Sequence, residues 1–163
     1  MSVQAIVDTL TKITQLHHSL LSVSQTKTEV LKEGDTAKLQ TLLVQERKHV
    51  QAIEQLELKR IDLVKAWATA NKQDTDTTTV SAMLDVLTDG HEKELLEQAT
   101  VGLVDVLVSL RSQEQLNHEL TQQSLQYIEL SLNMLSPSLK HLNYNNQSTQ
   151  TTVPNRSLFD SKA

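Results

Sequence analysis

Without cysteine, the chain's capacity for chemistry rests on its histidines and carboxylates, six and twenty in 163 residues. His17 and His18 fall together inside a helical pattern, where neighbouring side chains point about 100° apart. One helix cannot turn both onto a single metal ion, and a solvated face accounts for the pair. Asp85, Asp89, His91 and Glu92 crowd a second place. Their spacing fits no zinc motif, and Asp89 with Glu92 three positions on resembles a capping box with Asp in place of Ser or Thr. There is no Gly-rich phosphate loop and no serine nucleophile elbow. The residues therefore support no enzymatic activity, cofactor, metal or small-molecule substrate.

His118-Glu119-Leu120-Thr121 is the sharper chemical candidate. It resembles the phospho-accepting His-Glu-Leu start of histidine-kinase dimerisation helices, which are also long and paired. The proline expected a few residues later is absent at Gln123 and Ser124, and no Gly-rich nucleotide-binding domain follows. A histidine phosphotransfer domain stands as the least favoured reading.

These residues sit on long helices. From Glu92 to Leu135 there is no proline and one internal glycine, Gly102, which predicts a helix roughly 65 Å long. Leu96, Ala99, Leu103, Val106, Leu107 and Leu110 form one apolar stripe along its first half, facing a core. The second half has two. Leu116, Leu120, Tyr127, Leu130 and Met134 lie on one side, with Leu125, Ile128, Leu132 and Leu135 roughly 140° round from them. A second stripe calls for either a third helix or a surface kept for another protein.

Upstream, Val3, Ile6, Leu10, Ile13, Leu16, Leu20, Val23 and Val30 mark an amphipathic helix from Ser2 to Glu33. Gly34 closes it and Asp35 caps the next, an αα-hairpin turn. The second helix, Thr36 to about Ala70, carries a heptad-like seam of Leu39, Leu42, Ile53, Leu56, Leu63 and Trp67. Glu46, His49 and Arg60 share its register, and polar residues at such positions fix register at a cost in stability. Residues 71–79 read as a loop and Val80, Met83, Leu84 and Leu87 as a short amphipathic flap. Ser136-Pro137 stops the long helix. After it the chain is rich in Asn, Ser, Thr and Gln, interrupted only by Leu158-Phe159, which offers a short docking motif.

The expected architecture is all-α: an elongated antiparallel hairpin or bundle of three long helices and one short one. A helical domain spans 1–135 and a disordered, flexible polar tail 136–163. Three glycines and two prolines suit helices better than sheets. The net charge of −5 and dispersed basic residues argue against nucleic acid. No apolar run reaches the length of a membrane span, and the absence of cysteine fits a reducing cytoplasm.

The second helix supplies a recognisable pattern: Leu39-x-x-Leu42-Leu43, Glu46, Ile53, Leu56-Glu57 and Arg60. Together with the Gly34-Asp35 hairpin, the polar insert, Asn117 on the last helix and the terminal Arg156-Ser-Leu-Phe-Asp-Ser-Lys-Ala163, it resembles the FlgN-type flagellar export chaperones, Bacillus-type members in particular. The resemblance implies a cytoplasmic protein that holds the hook-filament junction proteins FlgK and FlgL before export through the flagellar type III apparatus. It implies that a client's C-terminal helical segment binds the last long helix between Gln113 and Leu135. The candidate residues there are Leu116, Leu120, Leu125, Ile128, Leu132 and Leu135. It also implies that Tyr144, which matches a family tyrosine, docks to the membrane export gate, although Asn145-Asn146-Gln147 replace the glycines that often follow it. The competing reading is a structural coiled-coil adaptor whose second stripe closes a homodimer.

Overall fold

Apolar residues recurring every three or four positions with almost no proline leave the backbone one way to satisfy its polar groups, and the structure is all-α. It is a computed structural model, which describes residues 3–147, with side chains from Val3 to Ser136. Four helices follow in order: α1 (Gln4–Glu33), α2 (Thr36–Ala70), α3 (Val80–Val86) and α4 (Gly90–Gln147). No strand occurs among the described residues. The chain divides into two compact units, residues 1–121 and 122–163.

The first unit holds the core. Gly34 adopts the left-handed conformation at φ 70°, and the Gly34 N–H donates to the Val30 carbonyl at 3.0 Å, ending α1 as glycine does best. Asp35 then caps α2 by accepting the Lys38 backbone N–H at 3.0 Å. That N–H is the largest of the contacts holding the Asp35 carboxyl below its ordinary range. Cross-helix contacts such as Ser19 to His49 and Lys27 to Glu46 make α1 and α2 antiparallel.

Val3 at the N-cap of α1 and Ile6, Val7 and Leu10 within it bury themselves against Val64, Trp67 and Ala68 of α2, Met83 of α3 and Leu96 of α4. Ala99 and Leu103 pack against the same cluster, and Val106 is buried farther along α4. The early apolar stripe of α4 thus faces inward, except Leu107, which is 40% exposed. The short α3 is no flap. Met83 is fully buried at the centre of the cluster, and Val80, Leu84 and Leu87 pack around it. Its start is capped by Thr79, whose hydroxyl accepts the Ala82 N–H at 3.1 Å.

Two further local expectations are corrected. His17 is buried instead of solvated, because it continues the inward row Leu10, Ile13, Leu20 and Ser24 at helical spacing. Its Nδ1 lies 2.8 Å from the Ile13 carbonyl, while His18 is exposed. Pro137 does not end α4, which continues to Gln147. A proline lacks the N–H that would otherwise donate to the carbonyl four residues earlier, here that of Asn133. Asn133 is exposed, so water can take the place of that donor. Leu158 and Phe159 lie outside the described residues.

Truncating Met83 to Ala should destabilise the protein by about 2 to 5 kcal/mol through cavity formation. Leu58→Ala, at a side chain 65% exposed, should change stability by less than about 0.5 kcal/mol. Urea unfolding followed by circular dichroism distinguishes the two.

Candidate functional site

Two features of α4 bear on function: how it is fixed to α1, and what it leaves uncovered. Leu96 meets the start of α1 and Asn117 meets Ser24, so residue numbers rise together and α4 runs parallel to α1. Asp89 opens the helix, accepting the N–H groups of His91 and Glu92 at 2.8 and 3.1 Å. Asp89 and Glu92 thus serve the helix start.

Beyond the apolar core, α4 is held by polar side chains. Asn117 is 2% exposed. Its amide donates to the Ser24 carbonyl at 2.8 Å and to Ser24 Oγ at 3.0 Å, and its oxygen accepts from Thr28 Oγ1 at 2.5 Å. Gln113 Nε2 also donates to the Thr28 hydroxyl. Beside this cluster Lys27 Nζ reaches Glu114 Oε2 of α4 at 3.0 Å and Glu46 Oε1 of α2 at 2.6 Å. Ser24 Oγ donates to Glu114 Oε1 at 2.5 Å. One ammonium therefore ties three helices.

Burial works to lower the Lys27 pKa, but the two carboxylates outweigh it and carry it above the ordinary lysine value. The sequence pattern places Glu46 on the inward register of α2. Lys27 and Ser24 were the signal it passed over: both continue the three-and-four row of α1 after Leu20.

After Asn117 no described side chain of α4 is buried. In the first unit, Leu116 is 43% exposed and Leu120 half-buried. In the second unit, Leu125, Ile128, Leu132 and Leu135 are between 52% and 59% exposed, and their 3-4-3 spacing puts them within about 80° of one another on the helix. Tyr127, Leu130 and Met134, members of the other stripe, are as exposed or more so. They belong with the candidates, and the same periodicity identifies them. Tyr144 falls within the span of α4, with its side chain outside the described residues. His118 is exposed and lines a cleft of about 290 Å³ in the first unit, alongside Leu31, Leu39 and Leu43.

The arrangement offers a helix anchored by one half and apolar on its surface in the other. A family model described as FlgN protein matches residues 1–152. The chain belongs to the FlgN family. It is also 39% identical over 166 residues to a protein of Bacillus subtilis (strain 168) named "Uncharacterized protein YvyG", with all of both chains covered. No solved structure matches it. FlgN proteins are flagellar export chaperones, a cytoplasmic family that binds flagellar hook-associated proteins. That role requires an accessible binding surface and no catalytic group. Among the described residues of this FlgN chain, no helix is long and apolar enough to cross a membrane.

Replacing Asn117 with Ala strands the polar groups of Ser24 and Thr28 and should cost about 1 to 3 kcal/mol in urea unfolding. The Lys27 contribution has a definite pH sign. A lysine whose pKa rises on folding stabilises fully below its ordinary value of about 10.4, and the gain is lost as pH rises through the folded value. Wild-type stability should therefore decline more steeply than that of Lys27→Met above about pH 10.4 when unfolding is measured across that range.

Proposed function

We propose that this protein is a cytoplasmic chaperone that holds the hook-filament junction proteins FlgK and FlgL through α4 and delivers them to the flagellar type III export apparatus. The observation that carries the reading is the exposed apolar row Leu125, Ile128, Leu132 and Leu135 on a helix of an export-chaperone family. Such a row is the recognition surface an amphipathic client helix requires, with anchors at three-and-four spacing. Leu116 and Leu120 are the upstream candidates on the same helix. Tyr127, Leu130 and Met134 would grip the client from the neighbouring side.

The energetics are sufficient. Burying one Leu or Ile is worth about 1.5 to 3 kcal/mol, so four anchors exceed the ordering cost of a short helical segment. Release for export then needs only the loss of a few contacts. In this reading the helical domain, 1–135, does the holding, and the polar segment 136–163 does the docking, with Tyr144 as its contact to the membrane export gate.

Purified FlgK or FlgL, titrated calorimetrically into the chaperone, tests the assignment. Leu125→Ser combined with Ile128→Ser should weaken binding on the order of a hundredfold or more while leaving the helical circular dichroism signal intact. Tyr144→Ala should bind normally and reduce export of the client. Undiminished binding by the double variant would remove these residues from the site.

A further inference from the structure

The described residues leave the row Leu125, Ile128, Leu132 and Leu135 uncovered, and soluble proteins seldom keep a continuous apolar strip bare. The segment 148–163 brings large apolar side chains together once, at Leu158-Phe159, and that phenylalanine is the only one in the chain. Because α4 runs on past Pro137, the segment is rooted at Gln147. At about 1.5 Å per residue, Leu135 lies roughly 18 Å back along the helix from Gln147, and Leu125 roughly 33 Å back. The stretch of chain from Gln147 to Leu158 spans at most about 36 to 40 Å. A chain that doubles back at Gln147 can therefore set Leu158-Phe159 anywhere on the row.

Charge favours the same meeting. Glu129 is the only charged side chain from Gln122 to Ser136. It stands four residues after Leu125 and three before Leu132, which puts it on the rim of the row. It is exposed and makes no ion pair among the described residues. The charged residues around the apolar pair are Arg156, Asp160 and Lys162, a net positive set, with Arg156 two positions before Leu158.

We infer that in the empty chaperone the row is occupied by this chain's own segment around Leu158-Phe159, with Arg156 at Glu129. The regulatory sense of that contact rests on the client reading above. Tethering gives the segment a high local concentration, so two apolar anchors suffice to hold it. A client with anchors along the whole row displaces it. Until then, apparent client affinity is lowered in proportion to the fraction of chaperone whose row is free.

The lack of cysteine makes one introduced thiol an unambiguous label site. With a nitroxide on Ser161→Cys of the full-length protein, amide resonances of residues 125–135 should broaden in the absence of client. Leu158→Ser with Phe159→Ser should restore them. Glu129→Arg should lessen the broadening, and Arg156→Glu added to it should bring it back. A mixture of nitroxide-bearing chain with separately isotope-labelled chain should show no broadening at these positions. Resonances from the core around Ile6, Trp67 and Met83 report that each variant is folded. The inference is overturned by unbroadened resonances in the labelled chain, by broadening that survives the two serines, by a charge-reversed pair no better than Glu129→Arg, or by broadening in the mixture.

No client enters that measurement, so its outcome is separate from that of the client reading. Calorimetry then tests the competition: Leu158→Ser with Phe159→Ser should bind purified FlgK or FlgL at least threefold more tightly than wild type. Unchanged or weaker binding would overturn the competition. Normal client binding by Leu125→Ser with Ile128→Ser would instead overturn the client site, while the resonance measurement alone decides the contact.

Discussion

The side chain on which α4 depends is Asn117. It is the last buried residue along that helix among the described side chains, and both ends of its amide are engaged with α1. A leucine at that position would bury as well but would accept several registers, because apolar contacts are not directional. An amide that must meet one carbonyl and two hydroxyls accepts one. Lys27, set between Glu46 and Glu114, extends the same specification to α2. Buried ion pairs are weak contributors to net stability, since desolvation offsets much of the attraction. Their effect here is to select which turn of α4 faces which turn of α1.

That selection bears on function. In the first unit the apolar core secures α4 near its start through Leu96, and the polar cluster secures it some twenty residues later. A helix fixed at two points does not slide, so within the first unit the positions of its remaining side chains are set by the same two points through helical geometry. The exposed row from Leu125 to Leu135 lies farther along the same helix, in the second unit. For a surface that recognises a partner by three-and-four spacing, the regular backbone of a helix limits the entropy lost on binding.

Much of this was legible in the residues alone. Three-and-four spacing gave three long helices, Gly34-Asp35 gave the turn, and Asp89 gave the start of α4. The inward register of Glu46, His49 and Arg60 on α2 also followed from spacing, and each is half-buried. What escaped was of two kinds. Polar residues on an apolar row, such as His17 and Lys27, look like surface until the opposing helix supplies their partners. Pro137 looks like a stop because its local cost is evident in the sequence, whereas the hydration available to the Asn133 carbonyl is not. The exposure of both stripes of α4 beyond Asn117 could not be read from periodicity, which identifies apolar faces without saying whether anything covers them.

The central claim, that the segment of α4 beyond Asn117 receives the client, is tested most directly by hydrogen-exchange mass spectrometry of the protein alone and with purified FlgK or FlgL. The account predicts strong added protection in peptides covering residues 122–136, with peptides from the core around Ile6, Trp67 and Met83 unchanged. Protection that arises on α1 and α2 while residues 122–136 exchange as before would contradict it.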